Sequence, residues 1–115
     1  MLSKRLEQVA SMVTKGNIIA DIGTDHGYVP IYLVEKGICP KAYAMDINQG
    51  PIESAIKNIE NYGLSEKIQA IKSNGLEKLE PEKADTIIIA RMGGELIVNI
   101  LENGLAKLEN CSRPV

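Results

Sequence analysis

At 115 residues the chain is long enough for one small domain with a true core and too short for two. Its composition, 44% hydrophobic and 24% charged, is that of a soluble globular protein, with no apolar run able to span a bilayer and no apolar leader. A net charge of −2 excludes nucleic-acid binding by bulk attraction, so any such binding needs a local basic patch.

In chain order, Leu6, Val9, Ala10 and Val13 recur at helical spacing and predict an amphipathic helix over 3–14, capped by Ser3 and ended by the TKGN stretch. IIADI (18–22) is a short β-branched run between turn residues, as expected of a buried parallel strand. After a glycine-containing loop, YVPIYLVEKG predicts a helix ending at Gly37, with Pro30 tolerable in its first turn. AYAMDI (42–47) is a second strand. The next segment, NQGPIESAIKNIENYGL, is the clearest helix, with Pro51 suited to its first position, Gly63 to its end, and Ile52, Ala55, Ile56 and Ile59 on one face. KIQAIKSNG predicts a third strand ending at Asn74–Gly75, and ADTIIIARMGG a fourth with a second glycine turn. ELIVNILENGLAKLEN (95–110) predicts a final helix. Cys39 and Cys111 fit neither metal-ligand spacing nor a disulfide framework, so packing roles and a reducing, cytoplasmic setting are expected.

Strands alternating with helices predict an α/β fold, a parallel sheet with helices on both faces. Sheets of this kind normally continue with more strands, so the chain is expected to be the first part of a larger domain. Ligands in such sheets bind beyond the carboxyl ends of the strands. Four strand ends here carry loop chemistry: Asp21–Gly27, Asp46–Asn48, Ser73–Gly75 and Arg91–Gly94.

ADIGTDHGYVP (20–30) has Gly23 and Gly27, but Asp25 stands where a dinucleotide loop carries its middle glycine. A carboxylate there would repel a pyrophosphate, whereas S-adenosyl-L-methionine has no phosphate and offers a sulfonium and an ammonium. Asp21 and Asp25 therefore favour the methyl donor. Asp46, about 20 residues past the glycine loop, is placed to accept hydrogen bonds from ribose hydroxyls, the alternative being a cap for the helix that follows. Asn74 is a candidate for the adenine edge, or an ordinary Asn-Gly turn residue.

LSKRL (2–6), ADIGTDHGYVPI (20–31), AMDINQGP (44–51), SNGLEKL (73–79) and DTIIIARMGGELI (85–97) together resemble the bacterial tRNA (adenine(22)-N1)-methyltransferase family (TrmK), over the chain up to about residue 101. The resemblance implies a Rossmann-like class I methyltransferase fold, S-adenosyl-L-methionine as donor and tRNA as acceptor, with no metal and no membrane. It implies Gly23, Thr24, Gly27, Asp46, Ile47, Asn74, Gly75 and Met92 for the cofactor alongside Asp21. Asp25 is the candidate catalytic carboxylate, taking a hydrogen bond from the exocyclic amine of the adenine; the alternative is a structural or cofactor-binding role. Lys4, Arg5, His26 and Arg91 are candidates for substrate contact. Arg91 and Asn74 depart from the usual G-M-G-G and S-D-G patterns, and the family's remaining strands and C-terminal helical region have no counterpart here. Competing expectations are a methyltransferase of the same fold with another acceptor, an inactive cofactor-binding fragment and, more distantly, an NAD(P)-dependent oxidoreductase.

Overall fold

The computed structural model describes residues 2–74, 84–90 and 96–100. The elements are α1 (Leu2–Met12), β1 (Ile19–Ile22), α2 (Tyr28–Glu35), β2 (Ala42–Asp46), α3 (Gln49–Asn61), β3 (Ile68–Lys72), β4 (Thr86–Ala90) and β5 (Leu96–Ile100). They build one sheet in the order β3-β2-β1-β4-β5. The first four strands are parallel, with Ile19 opposite both Ala42 and Thr86, and Ala42 opposite Ile68.

The period-2 alternation of the strands sorts their side chains onto two faces. Ile19, Ala42, Ala44, Ile68 and Ile88 face a core that also contains Val9 of α1, Val13 just past its end, Ile31, Leu33 and Val34 of α2, and Ala55 and Ile59 of α3. Ala20, Met45 and Ile87 are buried on the opposite face together with Ala84. The three described helices thus share one face. Crossover handedness requires this: β1→β2 and β2→β3 step in the same direction, so right-handed connections place α2 and α3 on the same side.

Both crossover helices end in the same device. Gly37 (φ 76) follows α2, its N–H reaching Val34 O at 3.0 Å while Ile38 N–H reaches Leu33 O at 2.9 Å. Gly63 (φ 70) follows α3 with the matching pair, to Glu60 O and Ile59 O, each at 3.0 Å. These paired bonds satisfy carbonyls that a helix end leaves open, and the left-handed turn they need suits glycine.

Three expectations are corrected. Ser3 does not cap α1, because helical backbone already begins at Leu2 and Ser3 lies inside the first turn. Pro51 is the third residue of α3, not the first; Asn48 is the N-cap, and the third N–H of a helix is also one with no intrahelical partner, so proline is accepted there. Leu96–Ile100, expected as the start of a helix, forms β5 antiparallel to β4, pairing Ala90 with Leu96 and Thr86 with Ile100. Short apolar runs fit either period; here β-branched Ile97, Val98 and Ile100 favour a strand, and β4 offers it an open edge of backbone groups. The remainder of that expected helix, 101–110, lies outside the described residues.

Cys39 is buried behind the end of α2, and desolvation pushes its thiol up to about 11, so it packs as a small neutral hydrophobe. Cys111 lies outside the described residues. Among the described residues no helix is long and apolar enough to cross a membrane.

Candidate functional site

The strand order reverses at β1, which has β2 on one side and β4 on the other. In open parallel sheets, a crevice forms at such a switch point beyond the carboxyl ends of the strands. The loop that leaves β1 there, Gly23–Gly27, is unusual in its backbone. Gly23 (φ 74), Asp25 (φ 59) and Gly27 (φ 78) all adopt left-handed conformations, and Asp25 is the one non-glycine with positive φ among the described residues. Aspartate tolerates this region better than most residues, at a cost that a glycine would not carry.

Hydrogen bonds hold this shape. The N–H groups of Gly23 and Thr24 both donate to Met45 O, at 2.8 and 2.9 Å. Asp25 N–H donates to Asp46 Oδ2 at 3.3 Å, and Gly27 N–H to Thr24 O at 3.1 Å. Four of the five loop amides are therefore spent inside the protein. A pyrophosphate cradle needs such amides turned outward, and the third helical residue of α2, Pro30, has no N–H to add. The loop instead turns a carboxylate to solvent: the Asp25 side chain is 70% exposed.

Asp46 is the hub between strand ends. It is buried, and its second carboxylate oxygen accepts Asn48 N–H at 3.0 Å, closing a local turn before α3. Its backbone carbonyl accepts Ser73 N–H at 2.8 Å, which ties in the end of β3. Each carboxylate oxygen keeps a further lone pair for an incoming hydroxyl. Asp46 is thus not the helix cap that was its alternative; Asn48 holds that position without a side-chain cap bond.

The other candidates divide clearly. Ile47 is 55% exposed immediately after Asp46, and Asn74 is exposed just past the end of β3. Asp21 is buried within β1, beside Ala44 and Ile88, so the two loop aspartates differ sharply in access. Thr24 is 6% exposed, and its Oγ1 has no hydrogen-bond partner among the described residues. Lys4 is exposed on α1 and joined to the β1 loop by no hydrogen bond or ion pair among the described residues. The side chain of Arg5, together with Gly75, Arg91 and Met92, lies outside the described residues. No group of three His, Cys, Asp or Glu able to hold a metal occurs among the described residues.

Three residues of α3 were not legible as part of the site. Ser54 Oγ lies 2.7 Å from His26 Nδ1, and Asn58 Nδ2 donates to His26 O at 2.8 Å. Between them Ala55 packs flush on the loop: a Cβ added at Gly27 would sit 3.3 Å from the Cβ of Ala55. The available signal was spacing, since 54, 55 and 58 share a helix face.

This sheet order, with a strand-end acid and a helix-backed loop at the switch point, defines a Rossmann-like α/β cofactor-binding domain. Residues 2–115 match the family described as Methyltransferase domain, and the chain belongs to that family. It is 44% identical over 112 residues to the tRNA (adenine(22)-N(1))-methyltransferase of Bacillus subtilis (strain 168), a match covering 97% of this chain and 47% of that relative. Among solved structures it is similar to a Streptococcus pneumoniae protein in complex with S-adenosyl-L-methionine, at 50% identity and TM-score 0.75, over 81% of this chain and 44% of that one. It is also similar to TrmK of M. capricolum in complex with S-adenosyl-homocysteine, at 39% identity and TM-score 0.65, over 74% of this chain and 50% of that one. The chain spans about half the length of these relatives.

Proposed function

We propose that this chain is the N-terminal, cofactor-binding portion of a methyltransferase that uses S-adenosyl-L-methionine to methylate N1 of adenine 22 in tRNA. The observation that carries the reading is the β1 loop, which spends its amides internally and presents the exposed carboxylate of Asp25. That surface suits a cationic cofactor and opposes an anionic one. The 44% identity to the Bacillus subtilis enzyme supports the choice of acceptor.

The residues present fit this cofactor. Thr24 Oγ1, buried and unpartnered among the described residues, is a polar atom whose burial costs about 1–3 kcal/mol until something hydrogen-bonds it. Asp46 would take the ribose hydroxyls on its remaining lone pairs, Ile47 would cover the adenine with apolar surface, and Asn74 would meet its polar edge. Gly23 and Gly27 keep the loop slim enough for close approach, while Gly75 and Met92 are assigned to the same pocket from the sequence pattern. When bound, the cofactor supplies an electrophilic methyl to a ring nitrogen. Asp25 would hold the exocyclic amine of the adenine and stabilise the charge that develops on its ring. His26, Lys4, Arg5 and Arg91 would contact the acceptor, whose N1 edge must be unpaired to be reached.

The test is methyl transfer from labelled S-adenosyl-L-methionine to two transcripts of one tRNA, differing only in whether position 22 is adenine. Label is expected in the adenine transcript alone. Equal label in both would overturn the acceptor assignment, and calorimetric titration showing no cofactor uptake at millimolar concentration would overturn the reading altogether.

A further inference from the structure

We propose that Ser54 and Asn58, one turn apart on α3, are positioning residues that hold His26 as its Nε2–H tautomer and so fix the Asp25 carboxylate at the mouth of the loop. The proposal rests on the cofactor reading above and assigns a role to two residues outside it.

The two contacts grip His26 at opposite ends. Asn58 Nδ2 holds the backbone carbonyl at 2.8 Å, and Ser54 Oγ meets ring atom Nδ1 at 2.7 Å. With the hydroxyl donating, Nδ1 is the acceptor and the ring proton resides on Nε2. Nε2 lies 3.6 Å from Asp25 Oδ1, so in this tautomer the proton sits on the nitrogen that neighbours the carboxylate. The ring also lies near that of Tyr28, with centroids 5.3 Å apart.

The grip matters because the pair it serves is weak alone. His26 and Asp25 side chains are 47% and 70% exposed, and an exposed pair of this kind gains little while both side chains rotate freely. Anchoring the imidazole removes that freedom in advance, which is what preorganisation of a binding loop requires. Ala55, between the two gripping residues, lets Gly27 approach closely enough for both contacts to form.

His26 is the single histidine of the sequence, so its ring nitrogens give one unambiguous set of 15N signals. The unaltered full chain is expected to show the Nε2–H pattern. Ser54→Ala should move it toward a tautomer mixture and weaken S-adenosyl-L-methionine binding about fivefold, the loss of one net hydrogen bond. Ser54→Thr, which keeps the hydroxyl, should restore both readouts. Asn58→Asp, which replaces the donor by an acceptor, should weaken binding by at least as much, while Lys57→Ala on the exposed side of the same helix should change neither. An Nδ1–H tautomer in the unaltered protein, or unchanged affinity in both Ser54→Ala and Asn58→Asp, overturns the proposal. Should the unaltered protein take up no cofactor while Ser54→Ala still moves the ring signals, the cofactor reading falls and the grip on His26 stands.

Discussion

The two ends of β1 use the same chemistry to opposite effect. At the amino end, Asp85 Oδ2 accepts Ile18 N–H at 2.8 Å, Asp85 N–H returns a bond to Ile18 O at 2.7 Å, and Asn17 Nδ2 donates to Thr86 Oγ1 at 3.3 Å. At the carboxyl end an aspartate again collects backbone amides, those of Asp25 and Asn48. Yet this second end leaves two costs standing: a non-glycine in left-handed backbone, and a buried hydroxyl without a partner among the described residues. A fold that closes one end of a strand so completely has the means to close the other. The open end is where the proposed function puts its ligand, and strain of this kind is what a binding loop can hold at the expense of local stability.

Breaking the loop's seat on α3 should have the largest effect. Gly27→Ala combines a left-handed φ of 78 with a Cβ 3.3 Å from that of Ala55, and should cost about 3 kcal/mol in urea denaturation. Gly37→Ala separates the two causes, because its φ is 76 with nothing within 4 Å of the added Cβ. It should cost about 1 kcal/mol and leave cofactor binding intact. Equal losses at the two glycines would show that the contact with α3 contributes nothing.

The two aspartates come next. Asp46→Ala strands two amides and should lose about 2 kcal/mol of stability along with most cofactor affinity. Asp85→Ala strands the amide of Ile18 alone and should lose about 1 kcal/mol with affinity unchanged. Calorimetry on the pair tests the division directly, since a comparable affinity loss in Asp85→Ala would erase the distinction between the ends.

The sequence carried the open end better than the closed one. Gly23, Gly27 and Asp25 stood out as a glycine-spaced turn with a carboxylate at its middle position, and Asp46 by its spacing of about 20 residues from that turn. The closed end is assembled from Asn17, Ile18, Asp85 and Thr86, whose partners are 67 and 69 positions apart. Nothing local announces such a pairing. The strands of the parallel core followed from short apolar runs between turns, but β5 did not, because LIVNI satisfies a helical and an extended period alike and the edge of β4 decided it. Ser54 and Asn58 were hidden for a related reason: polar residues on an amphipathic helix read as its solvated face until the fold brings a loop against them.

The smallest expected effect is the most specific to the open end. Asp25→Asn keeps a residue that tolerates left-handed backbone and removes the charge, so stability should change by less than about 0.5 kcal/mol. Affinity for S-adenosyl-L-methionine should fall, but only about two- to fivefold, because the carboxylate is exposed and screened. Asp25→Gly should match that loss while stability rises by several tenths of a kcal/mol, about what relief of the left-handed aspartate allows, since glycine has no Cβ to strain. The two variants together separate charge from backbone strain. If Asn retains full affinity and Gly loses it, the loop's conformation and not its charge selects the ligand. Tighter NAD binding by Asp25→Gly but not by Asp25→Asn would point the same way, because both variants remove the charge and only glycine would let the amides spent on Met45, Asp46 and Thr24 turn outward. Equal losses in Asn and Gly, with no gain for NAD, place the selection on the carboxylate itself.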